Sequence, residues 1–386
     1  MDDIDFALVL NLHQPGGNLE DLLDNEPWEA AEILCALDRI PRSLWPYEDI
    51  GRVHLSLSGT LLETLADPAF QARAYGIVDC GTLLWHLQNT GIIDILGSAY
   101  YHPVLPLIPP ADWPQQLSRW RGIAGHLFAR GDFGGFWPPE MGFTMELIPL
   151  LRRLGYRYVL VDANHVEPLG PMRWDELRYR PHLARHDGAE IVVVVRDREL
   201  SDAQESGMDP GWFIREVEAR TRHCDYTPLV TTCTDGDNGG WFRNTTPGAN
   251  FWSAFYQELL DLVRARRSGG IRPAFIHEHL AAHGVHGEVR VRPGAWNTGW
   301  HDGTGFTQWT GSAAQRDVLA RIRDVSGQLH AAAGQADPAG RPGLDGALHH
   351  LLRAQTSCNV YWGDAWVPRC HADLDSSLAL LASAGI

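Results

Sequence analysis

Seven short strand-like runs, most of them separated by helical patterns, limit what this chain can fold into more than any other feature. They cover residues 6–12, 53–57, 92–96, 135–137, 158–161, 191–195 and 229–232. The sixth run is built from β-branched residues alone, which suits a strand buried on both faces. Helical patterns lie over about 27–40, 69–88, 112–129 and 251–267. Such alternation is the pattern of βαβ units closing on a parallel sheet or barrel. Beyond about residue 311 the pattern is helical only, over 313–333, 347–354 and 371–383, with a Pro/Gly-rich link at 334–346. The expected organisation is an α/β unit over 1–300 followed by a helical region over 301–386.

Residues with chemistry in them fall after these runs, where an α/β fold displays its catalytic groups. Gly135 to Phe143 reads Gly-Phe-Trp-Pro-Pro-Glu-Met-Gly-Phe. Proline cannot donate to a sheet ladder, so Pro138 and Pro139 end the strand and leave Glu140 at its carboxyl end. Taken alone, Glu140 is equally an acidic loop residue. The turn Asp235-Gly236-Asp237 carries two carboxylates; it is also readable as a solvated Asx turn or an incomplete calcium loop. His13 and His102 both precede a proline at a strand end, and together they point to a polar pocket. His277, His279 and His283 contain an i,i+4 pair, but Glu278 does not stand where a metalloprotease helix needs it, so a polar helix face is expected. The run from Arg196 to Asp202 is either an ion-pair network at the rim or part of a site lining. Neither a phosphate-binding glycine motif nor a G-x-S-x-G elbow occurs.

A formal net charge of −16 repels nucleic acid and acidic polymers, and leaves neutral or cationic ligands as partners. Fifteen tryptophans can fill a large core or offer flat faces to sugar rings. The six cysteines form no C-x-x-C pair, so free thiols in a reducing compartment are expected. No apolar stretch approaches a membrane span and no secretory signal opens the chain, so the expected protein is cytoplasmic, with no membrane partner.

Five motifs in order give the chain a resemblance to glycoside hydrolase family 57. Leu12-His13-Gln14-Pro15 resembles the family's first motif, and Ile93-Asp94-Ile95-Leu96-Gly97 through Tyr101-His102-Pro103 the second. Gly135 to Glu140 resembles the third, Asp235-Gly236-Asp237 the fourth, and Gln355-Thr356-Ser357-Cys358-Asn359-Val360-Tyr361-Trp362 the fifth. Asn11 stands where members often carry His, Asp94 and Asp237 where Glu is usual, and Cys358 where an Asp is frequent.

The resemblance implies a distorted (β/α)7 barrel and a retaining α-glycosidase, of α-amylase or 4-α-glucanotransferase type. Its substrate would be an α-glucan or maltooligosaccharide. It makes Glu140 the nucleophile and Asp235 the acid/base, with carboxyl groups about 5–5.5 Å apart rather than the wider gap of an inverting enzyme. Trp137 and Trp241 are expected against sugar rings, and His13, His102, Asp94 and Asp237 at sugar hydroxyls. No cofactor or metal is expected, because two carboxylates fill both roles. Two other classes stay open: a non-catalytic glucan-binding or regulatory protein on the same barrel, and a zinc-dependent deacetylase or mannosidase on a related one.

Overall fold

A computed structural model describes residues 3–296, 305–334 and 341–383. Strand β1 (Ile4–Leu12) is buried at all nine positions, as a near-continuous apolar run with parallel neighbours on both edges must be. It pairs in parallel with β2 (Val53–Leu57), which pairs in parallel with β3 (Ile93–Leu96). A second sheet holds β4 (Gly135–Phe136) and β5 (Tyr158–Asp162). The short strand β6 (Val166–Pro168) stands outside both sheets, while β7 (His182–His186) forms an antiparallel hairpin with β8 (Ala189–Arg196). β8 runs parallel to β5, and β9 (Leu229–Asp235) parallel to β1. β10 (Ile271–Pro273) adds to the amino end of β1, and β11 (Val289–Val291) pairs with β6.

Two thin seams join the sheets. Gly97 N–H donates to Gly135 O at 2.9 Å and Trp137 N–H to Gly97 O at 2.8 Å, linking β3 to β4. Asp197 N–H donates to Thr231 O at 2.8 Å, linking β8 to β9. Hydrogen bonds therefore pass from neighbour to neighbour through β1, β2, β3, β4, β5, β8, β9 and back to β1. The fold is a distorted (β/α)7 barrel, and its seven parallel strands are the seven runs read from the sequence.

The first seam depends on glycine. A Cβ at Gly97 would lie 2.1 Å from Tyr156 Cε1, inside any tolerable contact. Gly97→Ala is expected to cost about 1–3 kcal/mol through overpacking, read as a lower denaturant midpoint at unchanged slope.

Local structure departs from expectation in places. The helix expected over 69–88 is two, Pro68–Ala74 and Cys80–Asn89, because Asp79 accepts from Thr82 N–H and caps a new start. The helix expected over 251–267 begins with a wide π turn, Trp252–Tyr256, before regular turns Gln257–Arg264. Asp112, the cap expected for the helical pattern over 112–129, makes no side-chain cap to the helix Trp113–Leu127. Its carboxylate instead accepts from Ser326, His330 and Gln355, which fastens the later helices to the barrel. β6, β7, β10 and β11 were not evident in the sequence; each is three to five residues long, too short for its alternation to stand out.

Helices Ala313–Ala333, Arg341–Ala354 and Val367–Ser383 form the carboxyl-terminal region. The boundary expected near residue 300 lies outside the described residues, as do residues 335–340 of the expected 334–346 link. The rest of that link differs from expectation, since 341–346 already belong to the helix Arg341–Ala354. No helix among the described residues is long and apolar enough to cross a membrane.

Candidate active site

Register places the site. Asn11 on β1 is the direct partner of Asp235 on β9, so both end on the same rim with side chains on the same side. Asn11 Nδ2 donates to Asp235 Oδ1 at 3.0 Å. Gln14, in the loop after β1, donates from Nε2 to Asp237 Oδ2 at 3.0 Å.

Glu140 arrives by a strained route. After β4, Pro138 and Pro139 fix their own φ, and Glu140 then takes φ 57° and ψ 18°, followed by Met141 at φ 50°. His102, after β3, also has a positive φ, 55°. Left-handed backbone costs a non-glycine residue about 1–3 kcal/mol and persists where the surroundings demand it. Here the demand is the aim of the Glu140 carboxylate. Its Oε2 accepts from Trp296 Nε1 at 2.8 Å and its Oε1 from Ser357 Oγ at 2.7 Å.

Ser357 comes from the carboxyl-terminal region. Its backbone N–H donates to His102 O at 3.0 Å, and Gln116 reaches from the barrel to Leu352 O and Gln355 Oε1. The last helices are thus locked against the rim and close one wall of the site.

One cleft of about 450 Å³ opens between these groups. Glu140, Asp235, Asp237, His13 and His102 all line it, with Asn11, Cys358, Tyr361 and the half-exposed Trp362. His13 and His102 stack at 4.0 Å with rings 11° apart. Neither ring nitrogen of His13 meets a protein partner among the described residues, and burial pushes its pKa down to about 3. It is a neutral imidazole at the cleft wall, able to donate from one nitrogen and accept at the other.

Burial raises the pKa of Glu140, against donation from Ser357 and Trp296. Asp235 is pushed up further, first by burial and then by the charge of Asp237; Asn11 opposes this, and Glu140 and Glu205 add to it. Asp237 is raised to about 6 by burial, with Gln14 and Arg243 resisting. Two carboxyls with different surroundings around one opening can divide acid and nucleophile roles between them.

Three expected contacts do not line the cleft. Asp94 is held between Arg130 at 3.4 Å and His277 at 3.5 Å. Trp137 is fully buried and packs edge-on against Trp296 at 5.3 Å, so it supports the donor to Glu140 instead of meeting ligand. Trp241 sits in the short helix Gly239–Arg243 against Phe251. Arg196 takes the ion-pair role: paired with Asp162 at 2.7 Å and Asp202 at 3.0 Å, it lies 5.8 Å from the centre of the Trp296 ring.

Trp296 itself carried no signal in the sequence, since a lone Trp after Pro293-Gly294-Ala295 belongs to no motif. Ser357 had one, its place in the fifth motif. The trio Asp5, His279 and His283 is spaced like metal ligands but lies at the amino end of β1, opposite the cleft, and Asp5 is already bonded to Arg272 and His279.

The barrel, the paired carboxyls and the order of their motifs define a carbohydrate-active enzyme class. A sequence profile of glycosyl hydrolase family 57 matches residues 27–263, and the chain belongs to that family. An α-amylase of Pyrococcus abyssi is 30% identical over 199 residues, 50% of this chain and 27% of that protein. A 4-α-glucanotransferase of Thermococcus kodakarensis is 28% identical over 195 residues, again 50% of this chain and 27% of that one. The matched part of the chain thus spans under a third of the length of these curated relatives. Among solved structures, a family 57-type branching enzyme from Pyrococcus horikoshii superposes with TM-score 0.73 at 17% identity, covering 100% of this chain and 88% of that one. The 4-α-glucanotransferase of Thermococcus litoralis gives 0.71 at 20% identity, covering 99% and 60%. At these identities the structural matches establish the fold alone.

Proposed function

We propose that the chain is a retaining α-glycosidase acting on α-glucans, of α-amylase or 4-α-glucanotransferase type. Glu140 attacks the anomeric carbon; the bond from that carbon to the glycosidic oxygen breaks, and the Asp235 proton goes to the departing oxygen. Asp235, now ionised, takes a proton from water or a sugar hydroxyl. That oxygen bonds to the anomeric carbon as the ester to Glu140 breaks. His13 and Asp237 hold sugar hydroxyls, and the Trp362 face supports a ring at the mouth.

The observation that carries the reading is the opening of Glu140 and Asp235 into one cleft from different strands, with different polar surroundings. Six carboxyl groups of the lining (Asp21, Glu26, Glu29, Glu140, Asp235, Asp237), four of them besides the two assigned to chemistry, against two guanidiniums (Arg243, Arg369) also favour a neutral ligand over an anionic one. Maltoheptaose incubation with product sizing tests the proposal. Shorter products alone mean hydrolysis, and longer ones as well mean transfer. Binding of maltoheptaose without turnover replaces the proposal with a glucan-binding protein.

A further inference from the structure

With the Asn11 amide turned as the structure has it, the hydrogen bonds around Glu140 and His102 leave one acceptor unmet unless one more proton is present, and Ser357 stands between the two places it can sit. Asn11 Nδ2 faces Asp235, so Asn11 Oδ1 faces His102 Nε2 at 3.3 Å. An amide oxygen only accepts, so Nε2 carries a hydrogen, and the Nδ1 of a neutral ring is then an acceptor. Ser357 Oγ stands between that Nδ1 at 3.2 Å and Glu140 Oε1 at 2.7 Å. With Glu140 ionised and His102 neutral, one hydroxyl hydrogen faces two buried acceptors, and one of them goes unmet.

We infer that Ser357 is a positioning residue through which Glu140 and His102 share a single proton, so that the nucleophile is stored as a neutral acid and freed by proton transfer to His102. This deepens the glycosidase reading and rests on it for its catalytic meaning. In the stored state Glu140 O–H donates to Ser357 Oγ, and Ser357 O–H donates to His102 Nδ1. In the freed state the Glu140 proton has passed to Ser357 Oγ and the Ser357 hydrogen to Nδ1. The ring now donates to Ser357, and Ser357 donates to a Glu140 carboxylate. One proton moves at each end, nothing is oxidised or reduced, and the net charge of the trio is unchanged.

The surroundings favour storage in the free protein. Glu140 faces Cys358 and Tyr361 of the carboxyl-terminal region and the Asp235 carboxyl, none of them cationic. His102 is covered by the stacked His13 and Asn11, with the Glu140 carboxyl as its acidic neighbour at 3.6 Å. Burial accordingly raises the Glu140 pKa and, with His13, holds that of His102 well below the usual value.

Nitrogen NMR of the full chain with labelled histidine, His102 assigned by loss in His102→Asn, reads the state without turnover. At pH 7 the free protein is expected to show His102 neutral with its hydrogen on Nε2. Glu140→Gln should keep that tautomer, because Trp296 N–H claims the new amide oxygen and turns the amide nitrogen towards Ser357. An Nδ1–H tautomer or an imidazolium in the free wild type overturns the inference. Kinetics give the second arm. Ser357→Ala cuts the path to His102, so Glu140 must lose its proton to solvent with no hydroxyl donating to the carboxylate that results, and the acid limb of kcat/KM moves up by roughly one pH unit. Ser357→Thr should restore it. A fall in kcat with the limb unmoved also overturns the inference. The predicted tautomer in a protein that turns over no glucan would sink the glycosidase reading alone.

Discussion

Glu140→Gln is expected to lower kcat on maltooligosaccharides by on the order of 10⁴-fold or more while leaving KM within a few-fold. Loss of a covalent nucleophile removes the lower-barrier route altogether, and other groups in such a site compensate poorly. Glutamine keeps the shape and can still accept from Trp296 Nε1, so the cleft should retain its form and its ligand. Glu140→Ala with added azide should recover part of the activity and yield a glucosyl azide of inverted anomeric configuration, because a small anion can enter the space left by the carboxylate. Turnover by Glu140→Gln within ten-fold of wild type would remove Glu140 from the chemistry. Stability should move the other way. Burial raises the folded-state pKa of Glu140, so folding becomes less favourable as pH climbs from the unfolded carboxyl range through the folded value. Glutamine carries no such cost. Its Tm should exceed that of the wild type at pH 7, and the gain should disappear at low pH, where the wild-type group is protonated in both states.

This trade-off explains which parts of the protein the sequence reveals. Strands β1, β5 and β8 are buried throughout most of their length, so their apolar runs announce them before any fold is known. Glu140 and Asp235 follow strands and sit in short motifs, and local order displays them. The partners that tune them are remote in the chain: Trp296 and Ser357 reach Glu140 across 156 and 217 residues. Asn11 reaches Asp235 across 224, through the β1–β9 register alone. A single sequence has no period or spacing that encodes such pairs. The same blindness put Trp137 at the ligand. An aromatic beside a catalytic motif reads as a platform, whereas Trp137, directly after β4 and tied by its N–H to Gly97 O, is fully buried against Trp296.

Asp235→Asn is expected to reduce kcat on maltoheptaose by about 10²–10⁴-fold, the usual contribution of a positioned acid/base. The loss should be much smaller for formation of the intermediate from α-maltosyl fluoride, whose leaving group needs no proton. Hydrolysis of that intermediate still needs the missing base. The variant should therefore accumulate protein bearing one maltosyl group on Glu140, visible by mass spectrometry after proteolysis. Equal losses on both substrates, with no adduct, would assign the proton to another group. The pH profile adds a directional check. Asp235 must be protonated to act first, and burial plus the Asp237 charge hold its pKa well above the ordinary value. Burial raises the pKa of Asp237 to about 6, so above that pH its charge is what the neighbour feels. Asp237→Asn deletes this charge and keeps an amide oxygen for Gln14 Nε2. The Asp235 pKa then falls, and the alkaline limb of kcat/KM moves to lower pH while the acid limb set by Glu140 stays in place. A limb that moved upward instead, or an acid limb that moved with it, would mean that the two carboxyls do not divide the roles in this way.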